Sequence, residues 1–512
     1  FWLKPCWRGP GRSALHCPLV GAPSDREPHC PPHAGWSSAS MQGAAASYGS
    51  AGAVSGKAPI RGTTVWFTAG AIVGDIMGAG IFSMAAAVSK LGWLLGTVAL
   101  VAMIAMNAHI SLLLWRVHMR FPEARTLGHL THCSFEGATG WKQSLVRKVL
   151  EMTQSVAMFP QLGLYMLAMG KALGMLKHDF QLCLPTWTLV AALVLYPIAS
   201  SGRKVGSYQS LVHLNVVSLV ITIFIPFAHM ISQGVEATRP TWSSMRPVAE
   251  DLHGAGVMTS LGTLFFATTG QSIIVEIMGE MRDVSEFPKA YVNISLPIQM
   301  ALFLVVGVGG YYYKGSAIRD AILVDLIPFS FSLRIAAAVL FLHMVVSYII
   351  KNTIFCRIVQ RALQETLGGA GIAEGGRDNW AVIVGVVLAF AYLLAQIVPF
   401  FSDFVDLMGS TMLPFTCWIG PLLMSLQVGE VQWRRSVWSA VELLLAMFYI
   451  VLALTVIVFG TSSACQNIWA KWDTYGGPFS CHCENMWSDC KCSAFHLGME
   501  TCLAPGAHPG SV

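Results

Sequence analysis

Gly74-Asp75-Ile76-Met77-Gly78-Ala79-Gly80 lies in the middle of an apolar stretch running from about Thr63 to Ser89. A stretch of that length crosses a bilayer as a helix, yet this one carries three glycines and a carboxylate. Each glycine weakens a helix by roughly 1 kcal/mol relative to alanine. An ionisable group at bilayer depth is rarely kept without a function. A helix broken there frees backbone N–H and C=O groups that lipid cannot satisfy, so they must face protein, water or a solute. The stretch constrains the chain to a membrane fold with a polar break at mid-depth, the setting in which a solute is moved across.

Composition agrees. The 512 residues are 54% hydrophobic and 12% charged, against about 25% charged in a soluble domain. Eleven apolar segments are expected to span the bilayer as helices, near 64–89, 91–116, 149–176, 186–200, 208–232, 257–279, 290–312, 331–356, 379–401, 403–427 and 437–460. They are numbered here as spans 1 to 11. Span 4 is short and span 6 is interrupted by polar residues. The dyad alternation of a membrane barrel is absent. The expected fold class is an all-α polytopic membrane protein of about 11 transmembrane helices. The net charge of +5 sits mostly at span ends and bears on topology rather than on nucleic acid.

Three regions follow. Residues 1–60 read as a disordered tail, of which 1–40 is either an extension of the gene model ahead of Met41 or a cytoplasmic segment. Residues 61–460 are the membrane domain, and 461–512 a Cys-rich tail. From Met41 onward, 18 Lys and Arg fall on the N-terminal side of the membrane and 10 on the other. That bias puts the N-terminus in the cytoplasm, and eleven spans then put the C-terminus outside or in a lumen. Cys465, Cys481, Cys483, Cys490, Cys492 and Cys502 suit an oxidising compartment. Disulfides are favoured over a metal site, because one residue rather than two or more separates the closest cysteines.

Span 6 carries a second interruption, Ala267-Thr268-Thr269-Gly270-Gln271-Ser272, between Leu264-Phe265-Phe266 and Ile273-Ile274-Val275. Paired Gly-interrupted spans at corresponding places are the pointer to a LeuT-like transporter, in which helices 1 and 6 of two inverted five-helix repeats break at mid-membrane. The chemistry suits a zwitterion. A half-helix N-terminus offers N–H groups and a positive dipole end to a carboxylate. Gly78, Ala79 and Gly80 leave room for close approach. Gly74 and Gly78 also form a small-xxx-small pair, which on its own is a helix-packing motif.

Ile76-Met77-Gly78-Ala79-Gly80-Ile81-Phe82-Ser83-Met84, followed by Leu91-Gly92-Trp93, resembles the first-span signature of the amino acid/auxin permease family. So does the block Phe266-Ala267-Thr268-Thr269-Gly270-Gln271-Ser272, Glu276-Ile277, Met281-Arg282 and Phe287-Pro288-Lys289-Ala290, with Gly309-Gly310-Tyr311 in span 7. The likeness covers roughly residues 61 to 460. It implies a LeuT-like 5+5 inverted repeat plus one extra helix, and secondary active transport of amino acids coupled to protons or sodium. It also implies a plasma membrane or a vacuolar or lysosomal one. Two departures stand out. Many members have His where this chain has Gln271, and sodium-coupled relatives have Asn at the place of Gly74 and a hydroxyl in span 8, for which Ser347 is the nearest match.

The resulting site has Gly78, Ala79 and Gly80 on the substrate carboxylate, with Thr268, Thr269, Gly270 and Gln271 opposite and Tyr165 as a further contact. Tyr165 has the alternative of plain core packing. Asp75, Glu276 and Ser347 are the expected coupling-ion residues. Asp75 has the alternative of capping the broken backbone, and Glu276 that of pairing with Arg282 or Lys289. No metal site, no cofactor beyond the coupling ion and no enzymatic nucleophile–base set is expected. The partners are an amino acid and the lipid bilayer. Rival readings are an auxin-like organic acid as cargo, or an amino-acid receptor without flux.

Overall fold

The computed structural model describes residues 62–136, 140–176, 183–202, 209–239, 241, 243–250, 252–318, 330–366, 377–398, 401–431, 437–475 and 478–479. Among these, ten helices are long and apolar enough to cross a bilayer, and one bent pair makes an eleventh span. Span 1 is that pair, Val65–Ile76 and Ala79–Leu91, bent by 48°. Spans 2 to 6 are Trp93–Arg120, Trp141–Leu176, Leu184–Ser201, His213–Gln233 and Gly254–Gly279. Spans 7 to 11 are Val284–Lys314, Phe331–Gln360, Asn379–Ile397, Phe401–Val428 and Ala440–Ala470. Each falls on an expected segment, including the short span 4 and the interrupted span 6. The chain is an integral membrane protein.

Burial sorts the spans into layers. Spans 3, 6 and 10 are 78%, 78% and 72% buried in protein, whereas spans 7 and 11 are only 28% buried. The first group forms the interior, and the second presents itself to lipid. Leu193, Phe224, Phe448 and Phe459 stand at least half exposed on outer faces. A continuous apolar surface of this kind marks a membrane-facing protein. Span 8 packs on spans 3 and 5, and the first half of span 6 packs on span 10 and on Met84–Leu91. The interior is therefore where spans 1, 3, 6, 8 and 10 meet.

Irregular backbone is tolerated at membrane depth only where protein re-satisfies it. Pro160, Pro197 and Pro226 lie inside helices, and single π-helical turns interrupt spans 7, 10 and 11 at Lys289–Ser295, Val305–Gly309, Pro414–Ile419 and Val456–Gly460. The last span does not stop near residue 460. Helix continues through Thr461–Tyr475, so Cys465 sits on it, exposed and with a free thiol. The other tail cysteines and residues 1–61 lie outside the described residues. A short helix not expected from sequence, Leu127–Phe135, connects spans 2 and 3; the Thr126 hydroxyl caps it by accepting the His129 N–H at 3.2 Å.

Two basic residues counted for orientation are not loop residues. Lys351 and Lys171 lie within spans 8 and 3 and are only 3% and 4% exposed. A buried ammonium at that depth needs a partner, which for Lys351 is found at the break in span 1.

Candidate functional site

Thr64 starts span 1 by accepting the Phe67 N–H at 3.3 Å. The first helix ends at Ile76, where the N–H groups of Met77 and Gly78 turn back to the carbonyls of Val73 and Asp75. A 3₁₀ turn over Ala79–Ser83 then leads into the second helix, Met84–Leu91. Span 6 breaks more abruptly. The helix Gly254–Thr268 ends in an extended Thr269, and a new helix, Gln271–Gly279, begins after Gly270. The breaks meet face to face. A Cβ on Gly80 would stand 2.6 Å from the Ala267 Cα, and one on Gly78 would stand 2.6 Å from the Tyr165 hydroxyl. The small residues of span 1 thus serve close contact with spans 3 and 6. Both the packing reading and the site reading of these glycines describe the same place.

Between the breaks lies a cavity lined by Asp75, Ile76, Gly78, Ala79, Gly80, Gln161, Tyr165, Phe266, Thr269, Ser272, Lys351 and Leu413. Six of the sequence-selected residues come together there: Asp75, Gly78, Ala79, Gly80, Tyr165 and Thr269. Lys351, Gln161 and Ser272 were not selected. Across the cavity wall the Lys351 ammonium lies 2.8 Å from an Asp75 carboxylate oxygen, with the two side chains 4% and 10% exposed. The Lys351 ammonium also lies 6.0 Å from the centre of the Tyr165 ring. Attraction between two such charges far outweighs its value in water, and removing one partner would strand the other. Asp75 is therefore not a lone carboxylate but half of a buried ion pair linking spans 1 and 8.

A second cavity runs from Asp75 towards the Thr63 end of span 1, lined by Thr63, Phe67, Thr68, Ala71, Gly74, Asp75, Asn215, Ile273, Ile277, Glu280, Ser347 and Ile350. Asp75 borders both cavities. Ser347 faces this second one. Its hydroxyl donates to the Asn215 side-chain oxygen at 3.3 Å, and the Asn215 amide donates to the Gly74 carbonyl at 3.2 Å. Span 5 thereby holds a carbonyl freed near the break, and Ser347 holds Asn215. The His343 ring nitrogen lies 3.1 Å from the Asn215 carbonyl on the same side.

Thr268 and Gln271 point elsewhere. The Thr268 hydroxyl donates to the Leu264 carbonyl and accepts from the Asn107 amide at 2.8 Å. The Gln271 amide donates towards the Asn107 carbonyl, the Asn107 side-chain oxygen and the Ser111 hydroxyl at 3.1–3.2 Å, and its oxygen accepts the Gly270 N–H at 3.1 Å. The Trp418 indole N–H donates to the same Asn107 oxygen at 2.8 Å. These side chains form a buried polar network with span 2, behind the break rather than in the cavity. Gly270 itself packs its Cα against Ile76.

Glu276 also stands apart from the cavity. The backbone N–H of Leu127, the first residue of the short helix, is directed at its carboxylate, and its other oxygen has no partner. Neither expected base reaches it. Arg282 donates to the Gly62 carbonyl at 2.9 Å and Lys289 pairs with Glu286 at 3.6 Å. Among the described residues no group of three or more His, Cys, Asp or Glu is placed to hold a metal ion.

Comparison with known proteins gives a consistent picture. The family model for "Transmembrane amino acid transporter protein" matches residues 61–466. The chain is 22% identical over 422 residues to amino acid transporter AVT3C of Arabidopsis thaliana, covering 77% of this chain and 89% of that one. It is 22% identical over 319 residues to the N amino acid transport system protein of Neurospora crassa, covering 58% and 64%. Among solved structures, MhsT in complex with L-phenylalanine superposes with a TM-score of 0.45 at 14% identity, covering 79% of this chain and 99% of that one. A sodium-coupled sialic acid symporter gives 0.45 at 12% identity, covering 79% and 90%.

Proposed function

This chain belongs to the transmembrane amino acid transporter family, and on that premise we propose that it carries amino acids across a membrane by cation-coupled alternating access. The observation that carries the reading is the meeting of two broken helices at a buried polar cavity. Few other tasks justify two interrupted helices and a buried ion pair at mid-membrane. The relatives named above as amino acid transporters support the cargo class. In this reading the substrate lies between the breaks, where Gly78, Ala79 and Gly80 leave room for it beside Thr269, Asp75 and Lys351. The two breaks stand at equivalent points of two five-helix repeats, and spans 1 and 6 move against spans 3, 8 and 10. The N-terminus lies in the cytoplasm.

Asp75 is the residue through which coupling acts, since it borders both cavities. A proton suits it better than sodium, because the Lys351 ammonium at 2.8 Å stands where a sodium ion would need its ligands, whereas a proton needs only the carboxylate once the pair opens. Ser347 and Glu276 support the moving parts through Asn215 and Leu127 rather than holding an ion. No cofactor is needed.

The test is uptake of a labelled amino-acid panel into proteoliposomes under an imposed pH gradient and, separately, a sodium gradient, for wild type and Asp75→Asn. Accumulation driven by the pH gradient and lost in the variant is expected. Binding without accumulation under either gradient would replace the transporter by a receptor, and accumulation under sodium alone would overturn the proton assignment.

A further inference from the structure

We propose that the Asp75–Lys351 ion pair opens to receive the two charged ends of one small neutral α-amino acid, its carboxylate passing to Lys351 and its ammonium to Asp75. The inference rests on reading the cavity between the breaks as the substrate site. It deepens that reading by naming the substrate class and a residue that selects it.

Both side chains line that cavity, and both are buried. Their charges are already satisfied by each other. A ligand that enters between them must leave neither stranded, because splitting a buried pair without replacement is strongly unfavourable. A carboxylic acid would engage Lys351 and leave Asp75 without a partner. An amine would do the opposite. A zwitterion carries both signs on atoms about as far apart as the pair itself, so it exchanges one ion pair for two. Selectivity of this kind comes from what the wrong ligand leaves unpaired as much as from what the right one gains. It rejects auxin-like acids, the rival cargo considered from sequence.

The remaining walls set the side chain. Ile76, Phe266 and Leu413 are apolar, and the other lining groups are neutral: Gln161, Tyr165, Thr269 and Ser272. No third charge awaits an acidic or basic side chain. The cavity between the closed pair is small, about 20 Å³, room for about one water. Any amino acid therefore enters only as the pair and its walls part, and a short side chain asks the least of them.

Lys351 has no counterpart in the substrate contacts read from sequence. There it looks like a basic residue at the end of a span. Only the packing of span 8 against spans 3 and 5 brings it to the break.

The experiment is equilibrium binding to the purified full-length protein in lipid nanodiscs by titration calorimetry. The probes are glycine, L-alanine, L-serine, propionate and ethylamine. The proteins are wild type, Lys351→Met and the double variant Asp75→Asn/Lys351→Met. Wild type is expected to bind at least one of the three amino acids. Propionate and ethylamine, each carrying one of the two charges, should bind on the order of 100-fold more weakly. The double variant leaves no charge stranded, so its melting curve checks folding even if Lys351→Met fails to fold. It should lose amino-acid affinity on the order of 100-fold. Propionate or ethylamine binding within about tenfold of the best amino acid overturns the proposal. So does undiminished binding by a folded double variant, or no binding of any of the three amino acids by wild type. Amino acid that binds but never accumulates in proteoliposomes sinks the transport reading and leaves this one standing. Transport that survives with undiminished affinity in Lys351→Met, which keeps Asp75, does the reverse.

Discussion

Gln271 spends both ends of its side-chain amide on the protein. Its oxygen holds the Gly270 N–H, and its nitrogen faces Asn107 and Ser111 on span 2. Asn107 is similarly committed, giving its two amide hydrogens to Met103 and Thr268 and accepting from Trp418 and Gln271. At membrane depth a group left over from such a network has no water to turn to. Gln271→Leu is therefore expected to leave the Gly270 N–H without its acceptor and Asn107 short of a donor, costing about 1–3 kcal/mol for each stranded group. A lowered melting temperature with substrate affinity changed by less than about tenfold is the expected result. Affinity lost at unchanged melting temperature would put Gln271 back in the cavity. The sequence marks this position as polar but not the direction in which it points. Ser272, the next residue, lines the cavity and Gln271 does not, because a helix turns by about 100° per residue. The partner that decides between them, Asn107, lies 164 positions away. Lys351 is hidden for the same reason: its meaning depends on Asp75, which lies in another span.

Spans 1 and 6 are each two short helices, and their value lies in how closely the two breaks approach. Gly80 sets that distance, since a Cβ there would meet the Ala267 Cα at 2.6 Å, closer than backbone can yield without shifting. Gly80→Ala is expected to force the breaks apart at a cost of about 1–3 kcal/mol. It should abolish uptake in proteoliposomes while the protein still inserts and purifies as a folded chain. Uptake at the wild-type rate would show that the contact is incidental to the transport cycle. The eleven spans were legible because apolar runs of this length have few alternatives to a membrane helix. The breaks were legible because glycine and carboxylate are costly there. Two elements were not. The Leu127–Phe135 helix has nine residues and includes two histidines and a threonine, so it lacks the length and periodicity that mark a helix. The run from Thr461 to Tyr475 is polar enough to read as tail, yet it continues a span whose hydrogen-bond ladder has no reason to stop.

At the level of the whole molecule, the two sides of the break are built differently. Towards Thr63 a cavity extends from Asp75, and the ends of spans 1 and 6 are stitched by Thr63 N–H to the Glu280 carbonyl at 2.8 Å. Towards Lys90 the structure is shut by contact at backbone level. Gly409 of span 10 lies so close to the Gly262 carbonyl of span 6 that no Cβ fits between them. Asp406 joins the same seam, accepting from the Thr263 hydroxyl and pairing with Lys90 at 3.4 Å. Where the two glycines meet, the seam closes to backbone contact, and only the polar contacts of Asp406 with Thr263 and Lys90 have to break for it to part. In an alternating cycle this is the side that must open when the Thr63 side closes. Gly409→Ala is expected to wedge spans 6 and 10 apart and hold the Lys90 side open. Ser410 reports on it: its hydroxyl is buried without a partner and sits against Gly262 and Gly460. Ser410→Cys should be inert to a membrane-impermeant thiol reagent in the otherwise native protein. It should become reactive when Gly409→Ala is added, after subtraction of the reaction of the same protein without the Ser410 change. Uptake should fall in parallel, since a carrier held open on one side cannot complete its cycle. A thiol that stays inert, with uptake intact, would mean that spans 6 and 10 do not part during transport. The moving boundary would then have to be sought between spans 1 and 8, where Asp75 and Lys351 meet.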